Sequence, residues 1–184
     1  MEPVPTLTAG PVTLRELDPA DVDDIVEGCR DEQTWTWTTV PHPYEREHAV
    51  GYVERTVGTD IDTEWPRWAI EVDGRWSGNI GLRLEEAGLA NVGYLVAPWA
   101  RGRGVGTLAL WLTCDWAFRE GGCQVVTWEA LVGNAGSRRM VQKVGFRLHS
   151  DVRRLGVVQR GERVDVWTAD LLPDDLVPLD SILP

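Results

Sequence analysis

The segment WARGRGVGT (99–107) constrains this chain more than any other. Before it lies LANVGYLV (89–96), an apolar run that reads as a strand. After it, Val105, Leu108, Ala109, Leu112 and Trp116 recur at the spacing of a helix running to about Phe118. A strand must therefore turn directly into an amphipathic helix through glycines. The first turn of a helix leaves backbone N–H groups unpaired and carries a partial positive charge. Glycines let that backbone curl around an anion with no Cβ in the way. The pattern predicts a pyrophosphate cradle formed by Gly102, Gly104, Gly106 and Thr107, with Arg101 and Arg103 adding side-chain charge. Taken alone, it also fits a plain glycine-rich turn with two exposed arginines. A Walker A loop is excluded, because no Gly-Lys-Ser/Thr closes the segment. A dinucleotide-binding turn is excluded too: the spacing is G-x-G-x-G, and antiparallel hairpins precede it.

The flanking chain supplies the rest of one domain, predicted over 11–171, with 1–10 a loose lead-in and 172–184 an irregular tail. PVTLREL (11–17) reads as a short strand, and Asp18-Pro19 starts a helix carrying Val22, Ile25, Val26 and Cys29. TWTWTTVPHP (34–43) reads as a loop. A second helix follows from Pro43, with Ala49, Val50, Val53 and Val57 on one face and Gly58 as its stop. WAIEV (68–72), Asp73-Gly74 and WSGNIGLRL (76–84) form a hairpin, and a turn at Glu85–Gly88 extends it to a three-strand meander. QVVTWEALV (124–132) is a strand, Asn134 opens a helix stopped by Gly145, and two strands are expected near 146–155 and 162–171. The order β-α-α-β-β-β-α-β-α-β-β predicts an α/β (α+β) fold, with a largely antiparallel mixed sheet and one central strand-helix-strand crossover.

Composition narrows the function. The 184 residues hold 18 basic and 29 acidic side chains, a net charge of −11, which disfavours a nucleic-acid partner. It weakly suits a cationic one such as an amine. No apolar run reaches the roughly 18 residues of a membrane span, and the N-terminus lacks the pattern of a signal peptide. Cys29, Cys114 and Cys123 are odd in number and have no CxxC spacing or histidine partners. They read as small core residues of a protein in a reducing compartment, so a cytoplasmic location and no metal are expected.

The spacing Arg101-x-x-Gly104-x-Gly106 resembles the acyl-CoA motif of the GNAT superfamily of N-acetyltransferases. GYLVAPWARGRGVGTLAL looks like that family's fourth strand, cradle and following helix. NAGSRRMVQKVGF (134–146) is similar to a segment of its Rim-type branch, which includes acetyltransferases of ribosomal-protein N-termini. DGRWSGNIGL resembles the family's second hairpin, and the likeness runs from about 11 to 171. It implies a GNAT fold with helices on both sheet faces and a splayed pair of strands. It also implies acetyl transfer from acetyl-CoA to a primary amine, either a protein N-terminus or a small molecule, by direct attack. A homodimer is common among such proteins, although nothing in the residues sets the oligomeric state.

The resemblance assigns roles. Backbone N–H groups at Leu95 and Val96 would pair with the pantetheine arm and polarise the thioester carbonyl. Asn134 would reach that arm, and Ser137 would give a proton to the leaving thiolate. Arg138, Arg139 and Lys143 would lie near the cradle, either at the 3′-phosphate of the coenzyme or on a solvated helix face. Among bases, Glu129 stands out as an ionisable residue within an apolar strand, with Asp165 second and His42, His48 and His149 weaker. In RLHSDVRRLGVV, after Gly145-Phe146, the position that holds an acidic base in some Rim-type enzymes holds no carboxylate. Of the ten tryptophans, Trp35 and Trp37 are expected at the acceptor pocket, with Trp65, Trp68 and Trp128 as further candidates. Trp111 and Trp116 read as core. The alternative to an enzyme is an acyl-CoA-binding sensor or partner module that performs no chemistry.

Overall fold

The computed structural model describes residues 4–57 and 65–183. The strands are β1 (Leu7–Ala9), β2 (Val12–Arg15), β3 (Arg67–Val72), β4 (Arg75–Leu84), β5 (Leu89–Val96), β6 (Val125–Leu131), β7 (Arg147–Leu148), β8 (Arg153–Gln159) and β9 (Glu162–Leu171). The helices are α1 (Val22–Arg30), α2 (Glu32–Trp37), α3 (Arg46–Thr56), α4 (Val105–Arg119) and α5 (Ala135–Val144). The sheet runs β1-β2-β3-β4-β5-β6-β9-β7, with β8 also paired to β9. Each pairing is antiparallel except β5 with β6, which α4 connects as a parallel crossover.

Helices cover both faces. Val12, Trp68, Ile70, Leu82, Val92, Val126 and Trp128 pack with Leu108, Leu112 and Trp116 of α4 and Val141 and Val144 of α5. On the other face Ala69, Trp76 and Ala97 pack with Ile25 and Cys29 of α1 and Ala49 and Val53 of α3. The two-residue period of the strands assigns alternate side chains to these two cores.

Four local expectations change. Leu7–Ala9 pairs with β2, so the lead-in contributes a strand to the sheet. Residues 34–43 are not wholly loop, because Asp31 caps a short helix over Glu32–Trp37 by accepting the Thr34 N–H at 3.0 Å. The next helix starts at Arg46, where Glu45 and His48 form a reciprocal cap, and Gly58 lies outside the described residues. The strand expected over 146–155 splits into β7 and β8. Beyond Leu171 the chain is short turns, yet it is docked: Trp111 Nε1 donates to Val177 O at 2.8 Å and Val177 N to Val144 O at 3.1 Å. Among the described residues no helix is long and apolar enough to cross a membrane.

Candidate active site

The glycine-rich turn takes the form its sequence requires. Gly102 and Gly104 have φ of 74° and 77°, in the left-handed region that penalises a Cβ. Gly104 is the N-cap of α4 and no side chain caps it, so the first-turn amides of the helix remain free toward a ligand. Gly106 serves another purpose. A Cβ there would stand 2.5 Å from Met140 Sδ and 3.0 Å from Val96 Cγ2, so its absence lets α4 approach α5 and β5 closely. The turn opens onto a cleft of about 670 Å³ lined by Gly102, Gly104, Gly106, Thr107, Asn134 and Ser137, among others.

The cleft exists because two strands part. β5 and β6 are paired from Leu89↔Val125 to Val92↔Trp128 and no further, so the gap-side edge of Gly93–Val96 has no strand partner. Ala97 N donates to Ser77 O and Glu85 N to Leu89 O, which fixes the alternation of the β4–β5 ladder. In that alternation Leu95 turns its amide toward Asn79 on β4. The amides facing the gap belong to Tyr94 and Val96. Of the two positions expected at the pantetheine arm, Val96 turns its amide into the gap and Leu95 does not; Tyr94 does.

At the fork the structure brings three polar side chains together. Tyr94 Oη lies 2.7 Å from Ser137 Oγ. Trp128 Nε1 donates to both, at 3.0 Å to Tyr94 and 3.1 Å to Ser137. Burial pushes the Tyr94 phenol above its ordinary range, although the hydrogen bonds from Ser137 and Trp128 oppose this. Ser137 sits one turn into α5, where the Asn134 Oδ1 cap accepts its N–H at 3.1 Å. Asn134 thus spends its carbonyl on the helix and leaves its amide nitrogen for the cleft. Tyr94 escaped the sequence reading; its alternation with Val92 and Val96 was the available signal.

Arg101, expected at the pyrophosphate, is engaged by the protein itself. Its guanidinium donates to Val96 O at 3.0 Å, Asp31 Oδ2 at 2.6 Å and Thr34 Oγ1 at 2.7 Å. These bonds tie it to the end of β5 and the N-terminal end of α2, while it still lines the cleft. Burial raises the Asp31 carboxyl, but Arg101 and the Thr34 amide outweigh this and hold it below its ordinary value. Arg103 points toward Asp73, 3.6 Å away on the surface. Arg139 and Lys143 line the cleft, as does Arg101, while Arg138 stacks over Trp167 at 4.7 Å.

The far wall is α2 and the β8–β9 hairpin. Trp37 lines the cleft beside Thr38, Leu131, Val157 and Val166. Trp35 stacks on His42 at 4.2 Å between centroids, with Arg160 over its ring at 5.3 Å, and is not among the residues lining the cleft. It therefore does not wall the pocket. Gln159 Nε2 donates to Thr36 O and Thr38 O at 2.9 and 3.0 Å, closing the hairpin onto the end of α2. Trp65 is exposed and Trp68 is core, as are Trp111 and Trp116.

Of the candidate bases, Glu129 lines the cleft just past the fork and pairs loosely with Arg153 at 3.5 Å. Asp165 is occupied elsewhere, accepting the Leu155 N–H at 2.9 Å where that residue has φ of 53°. The histidines have partners of their own as well. His42 stacks on Trp35, His48 Nδ1 accepts the Glu45 N–H at 3.0 Å, and His149 bridges Asp170 and Thr168 at 2.8 and 2.9 Å. Among the described residues no cluster could hold a metal ion. All three cysteines are free and buried.

A family model described as an acetyltransferase (GNAT) domain matches residues 12–147. A search of curated proteins finds no match. Among solved structures, a GCN5-related N-acetyltransferase from Brucella melitensis superposes with a TM-score of 0.81 at 21% identity, covering 98% of this chain and 86% of its own. RimL, a ribosomal L7/L12 alpha-N-protein acetyltransferase in complex with coenzyme A, gives 0.80 at 16% identity, covering 93% and 99%. RimJ from Mycobacterium smegmatis, in complex with a CoA-disulfide, gives 0.76 at 19% identity, covering 97% and 91%. At these identities the likeness is one of fold.

Proposed function

From the premise that the chain belongs to the GNAT acetyltransferase family, we propose that it moves acetyl from acetyl-CoA to a primary amine by direct attack in the β5–β6 gap. The observation that carries the reading is the alignment of the uncapped N-terminus of α4 with the mouth of that gap. Pyrophosphate suits the turn because four first-turn amides and the helix dipole converge there at no cost in side-chain order. In this reading Gly102, Gly104, Gly106 and Thr107 hold the pyrophosphate, and Arg139 and Lys143 supply the positive charge. The Asn134 amide nitrogen and the Val96 and Tyr94 amides line the pantetheine arm.

The thioester carbonyl lies against the gap-facing amides, which meet the negative charge that develops on its oxygen during attack. Glu129, across the gap, takes the proton that the amine must lose, directly or through water. The collapsing adduct expels a thiolate, to which the Ser137 side of the gap presents a hydroxyl donor. Trp37, Leu131, Val157 and Val166 form the wall for the body of the acceptor.

The acceptor is a peptide N-terminus or a small-molecule amine. The test is thiol release from acetyl-CoA against a panel of amines and N-terminal peptides, with mass spectrometry of each product. Amine-dependent thiol release with a mass gain of one acetyl supports the reading. Coenzyme binding without transfer to any amine in the panel would leave a binding module in its place.

A further inference from the structure

We propose that the leaving thiolate is stabilised by a hydrogen bond from a hydroxyl pair, Tyr94 and Ser137, oriented by the Trp128 indole N–H, such that either hydroxyl can serve alone. The proposal rests on the acetyl-transfer reading and adds Tyr94 as a catalytic residue and Trp128 as a positioning residue.

The argument is a proton count. The trio holds three exchangeable protons, one on each residue. The indole can only donate, and its proton is shared between the two oxygens, at 3.0 and 3.1 Å. The oxygens lie 2.7 Å apart, so one of the two hydroxyl protons occupies the space between them. One hydroxyl proton is left over. It cannot point at the indole, which already fills a lone pair on each oxygen, so it points outward into the cleft that all three residues line. This holds whichever hydroxyl donates to the other. The trio therefore always presents one proton to the gap, from Ser137 in one arrangement and from Tyr94 in the other.

Position agrees with the count. Trp128 is the last residue of β6 still paired with β5, and Tyr94 lies two residues beyond that pair on β5. Ser137 faces them from the first turn of α5. The pair thus stands at the apex of the fork, where a thioester threaded between the strands places its sulfur. When the tetrahedral adduct collapses, the carbon–sulfur bond breaks and its electrons pass to sulfur. The sulfur accepts a hydrogen bond from the outward hydroxyl, which keeps its proton, and the thiolate then takes a proton from solvent. The amine's proton leaves by way of Glu129. The sum is amine plus thioester to amide plus thiol. Burial of Tyr94 keeps the phenol protonated through neutral pH, so its proton is present when needed.

Bound coenzyme A itself is the probe. Its thiolate is titrated by ultraviolet absorbance in the wild type, Tyr94→Phe, Ser137→Ala and the double variant, with calorimetry confirming binding in each. In the wild type the thiolate is expected to form about one to two pH units below free coenzyme, the size of a charge-assisted hydrogen bond. Each single variant keeps at least half of that displacement, and the double variant loses it. Trp128→Phe, which lacks the orienting N–H, falls between the wild type and the double variant. Complete loss in Ser137→Ala alone, or retention in the double variant, would overturn the pair. Failure of the wild type to bind coenzyme A would instead remove the acetyl-transfer reading, and the pair with it.

Discussion

Arg101 and Asp31, 70 positions apart in the chain, meet at 2.6 Å between Nη1 and Oδ2. Arg101 also holds Val96 O and Thr34 Oγ1, so it joins the end of β5 to the start of α2. The residue that the glycine-rich motif presents as an anion ligand is a structural tie between the two walls of the cleft.

Arg101→Ala is expected to lower stability by about 2–3 kcal/mol, as three bonds from a partly buried guanidinium are lost. Coenzyme A affinity should fall by less than about threefold, because backbone amides bear the pyrophosphate. Denaturant unfolding and calorimetry measure the two. A large loss of affinity with little loss of stability would return Arg101 to the anion site.

The same tie predicts acid sensitivity. Arg101 holds Asp31 below its ordinary value in the folded state. The folded protein therefore binds this proton less readily than the unfolded chain, and the pair's contribution is complete above the unfolded carboxyl's pKa, about 4. That contribution is lost as pH falls through the lower folded value. Stability of the wild type should drop more steeply below about pH 4 than that of Asp31→Asn. Parallel pH curves would refute the linkage.

Gly104 and Gly106 should fail for different reasons. Gly104→Ala meets no neighbouring atom, so its cost is the left-handed backbone, about 1–2 kcal/mol. Gly106→Ala collides with Met140 Sδ and Val96 Cγ2, for about 1–3 kcal/mol. Adding Met140→Ala should recover part of the second loss and none of the first. Equal rescue of both, measured by chemical denaturation, would contradict this division.

Glu129→Gln should lower kcat about 10²-fold or more if its carboxylate takes the amine's proton, while coenzyme A affinity stays put. Asp165→Asn should leave turnover within about twofold, since that carboxylate serves the Leu155 turn. Steady-state kinetics with the acceptor found in the panel compare the two. Equal effects would remove Glu129 from the mechanism.

The thiols should be silent. Burial raises all three, Cys29 to about 11. Iodoacetamide at pH 8 should label none in the native protein and all three after unfolding, read by intact mass. Rapid native labelling of Cys114, the most enclosed, would contradict the packing of α4 on the sheet.

Much of this was written in the chain. The α4 stripe, the β3–β4–β5 meander, the Gly104 turn and the Gly145 stop follow from side-chain period and from backbone conformations that glycine alone tolerates. These are local properties, decided within a few residues. The short helix α2 escaped because its apolar content is too small to show a period and its cap, Asp31, lies before the run of threonines and tryptophans. Which charge is tied to a neighbour, which tryptophan faces the cleft and which hydroxyl stands beside Ser137 were settled only in three dimensions. Arg101 reads as a free cation until Asp31 arrives from 70 residues away. Tyr94 reads as an ordinary strand residue until β6 and α5 deliver Trp128 and Ser137 to it. Sequence period sets the face that a side chain takes, but its partners on that face depend on strand order and on where β5 and β6 separate. Those are outcomes of packing the whole chain.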